Sequence, residues 1–135
     1  MPGNGEAVLL LDTCTFLWWA TDDPCVPEPV RTRLRDPNEQ VLLSAVSVWE
    51  ICVKYTLGKL ALPVEPEQYV SDRRARLGIA PWALEESDVF ALAKLPPLHR
   101  DPFDRMLIAQ AIARGFILVT PDDAIRAYPA RTWWG

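Results

Sequence analysis

Uninterrupted apolar runs alternate along this chain with longer segments whose apolar residues recur at helical spacing. Such runs are typical of strands buried on both faces of a parallel sheet, and they occupy 7–11, 41–43 and 116–119. Helical spacing, bounded by Gly, Pro or a capping residue, predicts helices over 15–20, 29–35, 44–57, 66–77, 84–95, 102–114 and 124–128. Strands that alternate with helices predict right-handed βαβ units, and therefore an α/β fold with a central, mostly parallel sheet.

Two further segments are predicted at the edges of that sheet. The segment 79–82 contains Pro81, which cannot donate a hydrogen bond to a neighbouring strand, so we expect a short strand that is irregular or lies near an edge. The segment 132–134 is expected to form the last edge strand. The apolar face of the helix predicted over 84–95 is expected to comprise Val89, Leu92 and Ala93.

The composition fits one compact domain over residues 1–135, because half of the 135 residues are hydrophobic and the chain is long enough to bury a core. The polar start, residues 1–6, is expected to be a flexible tail. No apolar run approaches the roughly 20 residues of a membrane span, and the N-terminus does not resemble a signal peptide. A cytoplasmic location without membrane attachment is therefore expected.

Cysteine content, histidine content and net charge argue against several classes of site. The three cysteines show no CxxC spacing, so free or buried thiols are expected instead of a disulfide framework or a zinc site. A single histidine, His99, argues against a histidine-rich metal site. The net charge of −4 does not indicate a nucleic-acid binder, so contact with phosphates would need a local basic patch or bound cations.

Carboxylates follow two of the predicted buried strands. Asp12 comes directly after the first strand, and Asp122 comes shortly after the strand at 116–119. The carboxyl ends of parallel strands lie along one edge of a sheet, where open α/β folds place their sites. The alternative for Asp12 is a purely structural role as the N-cap of the helix that follows it.

A third carboxylate, Glu50, lies on the helix that follows the strand at 41–43. Ser44 is the better N-cap of this helix because it directly follows the strand, so Glu50 is free to point toward the strand ends. The alternatives for Glu50 are a capping box with Ser47 or an i,i+4 ion pair with Lys54.

The stretch 99–109 places two carboxylates at the start of the helix predicted over 102–114. Asp101 has the chemistry of an N-cap, Pro102 suits the first helical position, and Asp104 falls at the third. One interpretation is capping alone, in which Asp101 accepts the backbone N–H of Asp104 and the Asp104 carboxylate complements the helix dipole. The other interpretation is that Asp104 faces a metal ion.

Three or four carboxylates within a few ångströms raise one another's pKa values, and a fold tolerates this when a divalent cation offsets their charge. Oxygen ligands without nearby His or Cys favour Mg²⁺ or Mn²⁺ over zinc. An ion of this kind activates water for phosphodiester hydrolysis and stabilises the attacking and leaving oxygens. The carboxylates therefore point to a metal-dependent hydrolase.

Several motifs together resemble the PIN-domain nucleases, and in particular the VapC-type toxins of type II toxin–antitoxin systems. The motifs are Asp12-Thr13 after an apolar strand, Ser47-Val-Trp-Glu50-Ile with Lys54, Leu57-Gly-Lys-Leu60, His99-Arg-Asp-Pro-Phe-Asp104-Arg-Met-Leu-Ile-Ala, and Leu118-Val-Thr-Pro-Asp122. The resemblance runs from about Val8 to Trp134. It implies a three-layer α/β/α sandwich, Mg²⁺-dependent endoribonuclease activity on RNA, a cognate antitoxin that blocks the site, and frequent homodimers.

The resemblance assigns the site residues by position. The family's three core acids, which hold the metal, correspond to Asp12, Glu50 and Asp104. Its more variable fourth acid corresponds to Asp122, although Asp123 follows directly and leaves open which of the two faces the site. Asp122 is the better match, so the catalytic set implied by the resemblance comprises four acids.

Other residues are expected to support the acids. Thr13 matches the hydroxyl residue that helps to position metal or water in the family, and Asp101 is expected to cap its helix and support the site. Residues that flank the acids in sequence are candidates for phosphate contact, with solvated surface as the alternative: Lys54, Lys59, Arg100 and Arg105. Four tryptophans either stack on bases or pack in the core and in interfaces: Trp18, Trp19, Trp49 and Trp82.

Two rival functions remain open from the sequence. A haloacid-dehalogenase-type phosphatase also begins with a strand that ends in Asp, but its chemistry needs a second Asp two positions later, where this chain has Cys14. A catalytically weak domain of the same fold would bind only RNA or a protein partner. The presence of all four acids argues against that second alternative.

Overall fold

The computed structural model describes residues 7–135, so the tail predicted for residues 1–6 lies outside the described residues. Within this range five strands form one sheet: β1 (Val8–Leu11), β2 (Gln40–Ser44), β3 (Ala80–Trp82), β4 (Ile117–Val119) and β5 (Arg131–Trp133). Their order across the sheet is β3-β2-β1-β4-β5, and every neighbouring pair is parallel. The predicted α/β fold with a parallel sheet is confirmed.

Seven helices of the described range connect the strands: α1 (Thr13–Ala20), α2 (Glu28–Arg35), α3 (Ala45–Thr56), α4 (Pro66–Leu77), α5 (Glu86–Ala93), α6 (Pro102–Arg114) and α7 (Asp123–Arg126). The long helices α4 and α6 end where the sequence indicates, because Gly78 and Gly115 take positive φ angles of 68° and 72° that favour glycine. None of these helices combines the length and the apolar content that crossing a membrane requires.

The sheet separates two buried clusters of apolar side chains. Leu9 and Leu11 of β1 belong to one cluster and Leu10 to the other, because successive strand residues point to opposite faces. Residues of α1, α2 and α4 complete the first cluster, and residues of α5, α6 and α7 complete the second. Helix α3 contributes Ile51 to the first and Val46 to the second. Helices therefore cover both faces, and the expected three-layer α/β/α sandwich is confirmed.

The apolar face predicted for α5 is wrong in two of its three residues. Val89 and Ala93 are exposed to solvent. Asp88 is fully buried instead, because its carboxylate accepts a hydrogen bond from Gln110 at 3.2 Å and pairs with Arg114 at 3.4 Å. A satisfied polar network thus decides which side of this short helix faces inward, and apolar spacing alone does not.

Candidate active site

A cleft with a volume of about 220 Å³ opens at the carboxyl-terminal edge of the sheet. All four acids proposed from the sequence line it: Asp12, Glu50, Asp104 and Asp122. The other side chains of its wall are Thr13, Cys14, Trp18, Lys54, Asp101 and Pro121. The acids converge because β1 lies between β2 and β4, and parallel strands bring their carboxyl ends side by side.

Asp12 is held between β1 and β4. One of its oxygens accepts the Thr15 backbone N–H at 2.7 Å, and the other accepts the Thr120 hydroxyl at 2.5 Å. The register that pairs Leu11 with Val119 sets Thr120 beside Asp12. Asp12 is 4% exposed, and this burial raises the pKa of its carboxyl although both hydrogen bonds oppose the rise. Asp12 is therefore both the N-cap of α1 and a wall residue of the cleft.

Glu50 is buried on α3, and each of its oxygens has a partner. The Thr13 hydroxyl donates to Oε1 at 2.6 Å, and the Lys54 ammonium lies 2.5 Å from Oε2. The Ser47 hydroxyl lies 2.9 Å from Thr13 Oγ1 and is placed to donate to it, because Glu50 already takes the single proton of Thr13. Ser44 caps α3, as expected. Glu50 thus forms the i,i+4 pair and lines the cleft as well.

Asp104 lies in the first turn of α6 among other acids. Asp101 caps this helix, and its Oδ1 accepts the backbone N–H of Phe103 at 2.8 Å and that of Asp104 at 3.2 Å. Burial and the nearby carboxylates of Asp101 and Glu50 raise the pKa of Asp104 to about 6, and a contact with His99 opposes that rise. The cleft therefore concentrates negative charge that a cation would offset.

His99 lies against two of the acids, and this contact was not predicted from the sequence. Its Nε2 lies 2.9 Å from Asp104 Oδ2 and 3.8 Å from Asp122 Oδ2, and each of the three residues offers one polar atom within 4.8 Å of the other two. Asp122 also caps α7 by accepting the Ala124 backbone N–H at 2.9 Å. The side chain of Asp123 is 96% exposed. Asp122, and not Asp123, therefore lines the cleft.

The four basic residues proposed for phosphate contact lie in different places. Lys54 lines the cleft, whereas Lys59 and Arg100 are exposed in the loops after α3 and before α6. The guanidinium of Arg105 donates to the Leu95 carbonyl at 3.4 Å, and its Nε is buried without a partner among residues 7–135. Lys54 is thus the one of these four cations that lies beside the acids.

The four tryptophans also differ in environment. Trp18 lines the cleft, and its ring centre lies 6.1 Å from that of Trp134. Trp19 is buried in the core, and Trp82 packs half-buried against the second apolar cluster. Trp49 is 54% exposed on α3. Of these four tryptophans, Trp18 is the one that shares the cleft wall with the carboxylates.

The thiols of the three cysteines are free, in keeping with the sequence. Cys14 and Cys25 are exposed, and Cys52 is half-buried. Cys14 lies in the cleft wall at the position where a haloacid-dehalogenase-type phosphatase needs its second aspartate. The cleft therefore lacks the carboxylate pair on which that phosphatase chemistry depends.

Comparison with known proteins extends this description. The PIN domain family model matches residues 9–130. Ribonuclease VapC16 of Mycobacterium tuberculosis (strain ATCC 25618 / H37Rv) is 40% identical over 57 residues, which are 42% of this chain and 40% of that protein. The matched part of this chain therefore spans less than half the length of that relative.

Solved structures share the fold at low sequence identity. VapBC2 from Rickettsia felis, bound to a DNA fragment from their promoter, gives a TM-score of 0.68 at 17% identity over 93% of this chain and 97% of that chain. DNA-bound VapBC from Salmonella typhimurium gives 0.68 at 17% identity over 96% and 99%. VapBC-1 from nontypeable Haemophilus influenzae gives 0.62 at 15% identity over 93% and 96%. Because the family model also spans most of the chain, this protein belongs to the PIN domain family.

Proposed function

We propose that this protein is an endoribonuclease that needs a divalent cation and serves as the toxin of a toxin–antitoxin pair. The observation that carries the proposal is the convergence of Asp12, Glu50, Asp104 and Asp122 on one cleft. The relative named Ribonuclease VapC16 supports it through the 57 aligned residues. Hydrolysis of a phosphodiester bond is the reaction that a cleft of this composition suits best.

The side chains of the cleft fit Mg²⁺ or Mn²⁺. Their donor atoms are carboxylate oxygens, which hard divalent ions prefer. Crowding by Asp101 and Glu50 helps to raise the pKa of Asp104, and a bound cation would relieve that repulsion. We assign Asp12, Glu50 and Asp104 as the residues that would hold the ion, with Asp122 as the fourth acid of the catalytic set.

The protein's own part in the reaction is to hold these acids and the substrate in place. An ion bound in the cleft would supply an activated water and neutralise charge on the phosphate oxygens. The Thr120 hydroxyl fixes Asp12, and the Thr13 hydroxyl fixes one oxygen of Glu50. The Lys54 side chain is 46% exposed, so its ammonium can leave Glu50 to meet a phosphate that enters the cleft.

Single-stranded RNA is the substrate that the cleft wall favours. Trp18 offers a flat apolar surface beside the acids. Unpaired bases stack on such a ring, whereas bases inside a duplex are covered by their neighbours. Because the protein carries a net charge of −4, local cations have to attract the RNA, and we assign this role to Lys54 with the exposed Lys59 and Arg100.

A cognate antitoxin and a homodimer complete the proposal. The structural relatives were solved as VapBC, the name for a VapC toxin together with its antitoxin. We expect a partner of this kind to bind the present protein and block its cleft. A cytoplasmic location is part of the same proposal. Co-expression with the product of a small adjacent gene, followed by purification and a cleavage assay, tests the partner.

Cleavage of a single-stranded RNA by the purified protein tests the enzymatic proposal. We expect cleavage with Mg²⁺ or Mn²⁺ and none in excess EDTA. Asp12→Asn and Asp104→Asn should each lower the rate on the order of 100-fold or more, because each removes a charged ligand. Asp123→Asn is the matched control: it makes the same chemical change at an exposed carboxylate next to the cleft and should leave the rate unchanged.

Three outcomes would contradict the enzymatic proposal. Cleavage that persists in excess EDTA would remove the need for a cation. Cleavage that persists in both the Asp12 and the Asp104 variant would show that these acids take no part in the reaction. If the wild-type protein binds RNA without cleaving it under any metal condition, the alternative of a binding domain with the same fold takes its place.

A further inference from the structure

His99 lies in the loop before α6 and approaches two of the acids from outside the sheet. Its Nε2 lies 2.9 Å from Asp104 Oδ2 and 3.8 Å from Asp122 Oδ2. Asp104 lies in the first turn of α6, and Asp122 is the N-cap of α7. His99 thus hydrogen-bonds the acid at the start of α6 and lies close to the acid that caps α7.

The backbone of this loop is anchored by one buried side chain. The Tyr128 hydroxyl accepts the backbone N–H of Leu98 at 3.0 Å and that of His99 at 2.9 Å, and it donates to the Pro96 carbonyl at 2.9 Å. Tyr128 is 3% exposed. Three hydrogen bonds to one rigid phenol fix the position of the loop, and with it the position from which the imidazole reaches the acids.

The contacts of the ring indicate where it carries its proton. The Asp101 backbone N–H points at His99 Nδ1 from 3.4 Å, so Nδ1 is the acceptor. In a neutral imidazole the proton then resides on Nε2, which faces the carboxylate of Asp104. A protonated Nε2 donates a hydrogen bond and has no lone pair for a metal ion.

We infer that His99 is a positioning residue, whose Nε2–H donates to Asp104 Oδ2 and thereby orients that carboxylate on the cleft wall for a divalent cation. The inference rests on the metal site of the proposed function. A donor of this kind restrains one oxygen of Asp104 and leaves the other lone pairs of the carboxylate unused. His99 therefore acts through the acids and touches neither substrate nor ion.

Mn²⁺ binding without RNA tests the inference independently of cleavage. Isothermal titration with Mn²⁺ compares the wild type with His99→Gln and His99→Leu. Glutamine places an amide N–H where the imidazole Nε2–H lies, whereas leucine fills space without a donor. We expect His99→Leu to weaken Mn²⁺ binding about 10- to 100-fold, and His99→Gln to retain most of the affinity.

Two further variants separate the role of the ring from that of the loop. Leu98→Ala alters the adjacent side chain, which is 56% exposed, and should bind Mn²⁺ like the wild type. Tyr128→Phe removes the hydroxyl that anchors the loop but leaves the imidazole unchanged, so it should weaken binding by less than His99→Leu. Tyr128→Phe is also expected to bind Mn²⁺ more weakly than the wild type, so an unchanged affinity in this variant would count against the inference if His99→Leu does not fold.

Four results would overturn the inference. They are wild-type affinity in His99→Leu, an equal loss in His99→Gln and His99→Leu, absence of Mn²⁺ binding by the wild type, and a ¹⁴N coupling to bound Mn²⁺ that disappears in His99→Gln. The last result would make the imidazole a direct ligand. A wild type that shows the expected Mn²⁺ affinities but cleaves no RNA would refute the proposed function and leave the role of His99 intact.

Discussion

At the scale of single residues, three carboxylates of the cleft also serve as helix caps: Asp12 for α1, Asp101 for α6 and Asp122 for α7. The sequence presents capping and a functional site as alternatives, but the two roles are compatible. A carboxylate has two oxygens with about four lone-pair sites, so one backbone N–H leaves others unused. Capping patterns predicted the helix starts at Asp12 and Asp101 but not the cap at Asp122, whereas the strand ends and the family resemblance predicted the cleft.

Replacing Asp104 with Asn should stabilise the metal-free protein at neutral pH. The pKa of Asp104 is about 6 in the folded chain against an ordinary value of 3.8, so the folded state binds this proton more tightly. The stability that this proton contributes is fully present below about pH 4 and is lost as the pH rises through 6. Solvent screens part of the effect, so we expect a gain of roughly 1–2 kcal/mol at pH 7.5.

Urea denaturation in EDTA at pH 4 and pH 7.5 measures this gain. The gain from Asp104→Asn should be small at pH 4, where the wild-type carboxyl is already largely protonated. Asp123→Asn removes the same charge from a side chain that is 96% exposed and should leave stability nearly unchanged at both pH values. A gain that is equal at the two pH values, or equal in both variants, would contradict the electrostatic account.

Trp18→Ala should raise the KM for single-stranded RNA about tenfold and change kcat little. The indole would stack on a base, and loss of one such contact costs roughly 1–3 kcal/mol. The indole touches no reacting atom in the proposed reaction, so its loss should weaken RNA binding and leave the rate of the bound complex nearly unchanged. Phe90→Ala is the control, since that ring is 63% exposed on α5. An unchanged KM for Trp18→Ala would show that Trp18 does not stack on the RNA.

At the scale of elements, the sequence predicted the bounds of a helix correctly where residues close together in the chain determine them. Helix α6 begins after Asp101, at Pro102, and ends before Gly115, as expected. The loop before α6 depends instead on Tyr128, whose hydroxyl holds the His99 backbone from a distant part of the chain. Nothing in the loop itself encodes that bond, so the contact of His99 with the acids was missed. The available signal was its place two residues before Asp101 in the same motif.

Asp101→Ala and Asp101→Ser should separate capping from charge at the start of α6. Alanine removes an acceptor for two backbone N–H groups and should lower the free energy of unfolding by about 1 kcal/mol. Serine restores the cap and should lower the free energy of unfolding by only a few tenths of about 1 kcal/mol relative to the wild type. Both variants remove the same charge beside Asp104. Equal losses in thermal denaturation would show that charge, and not capping, sets the stability.

At the scale of the whole molecule, the order of the strands determines where the acids meet. After β1 the chain adds β2 and then β3 on one side of β1, and it later returns to add β4 and β5 on the other side. Strands β2 and β4 therefore flank β1. Open α/β sheets bind ligands in the crevice at such a switch point, and Asp12 lies there. Alternating strands and helices predicted a parallel sheet, but local patterns do not contain the strand order. The convergence of the acids was therefore expected from the resemblance more than from the pattern.

Mg²⁺ should stabilise the folded wild-type protein, because the acids lie together only when the chain is folded. At a free concentration ten times its Kd, the ion should add about 1.4 kcal/mol to the free energy of unfolding. Urea denaturation over a series of Mg²⁺ concentrations at constant ionic strength measures the gain. Asp12→Asn should lose most of it, and an undiminished gain in that variant would locate the stabilising ion elsewhere.

In the proposed function, acids from separate elements hold one divalent cation in a shared cleft. Anomalous diffraction from crystals grown with Mn²⁺ tests it most directly, because it locates the ion without reference to activity. We expect a strong peak between the carboxylates of Asp12, Glu50 and Asp104, and none there in Asp104→Asn crystals. Mn²⁺ bound only outside this cleft, or an equal peak in the variant, would contradict it.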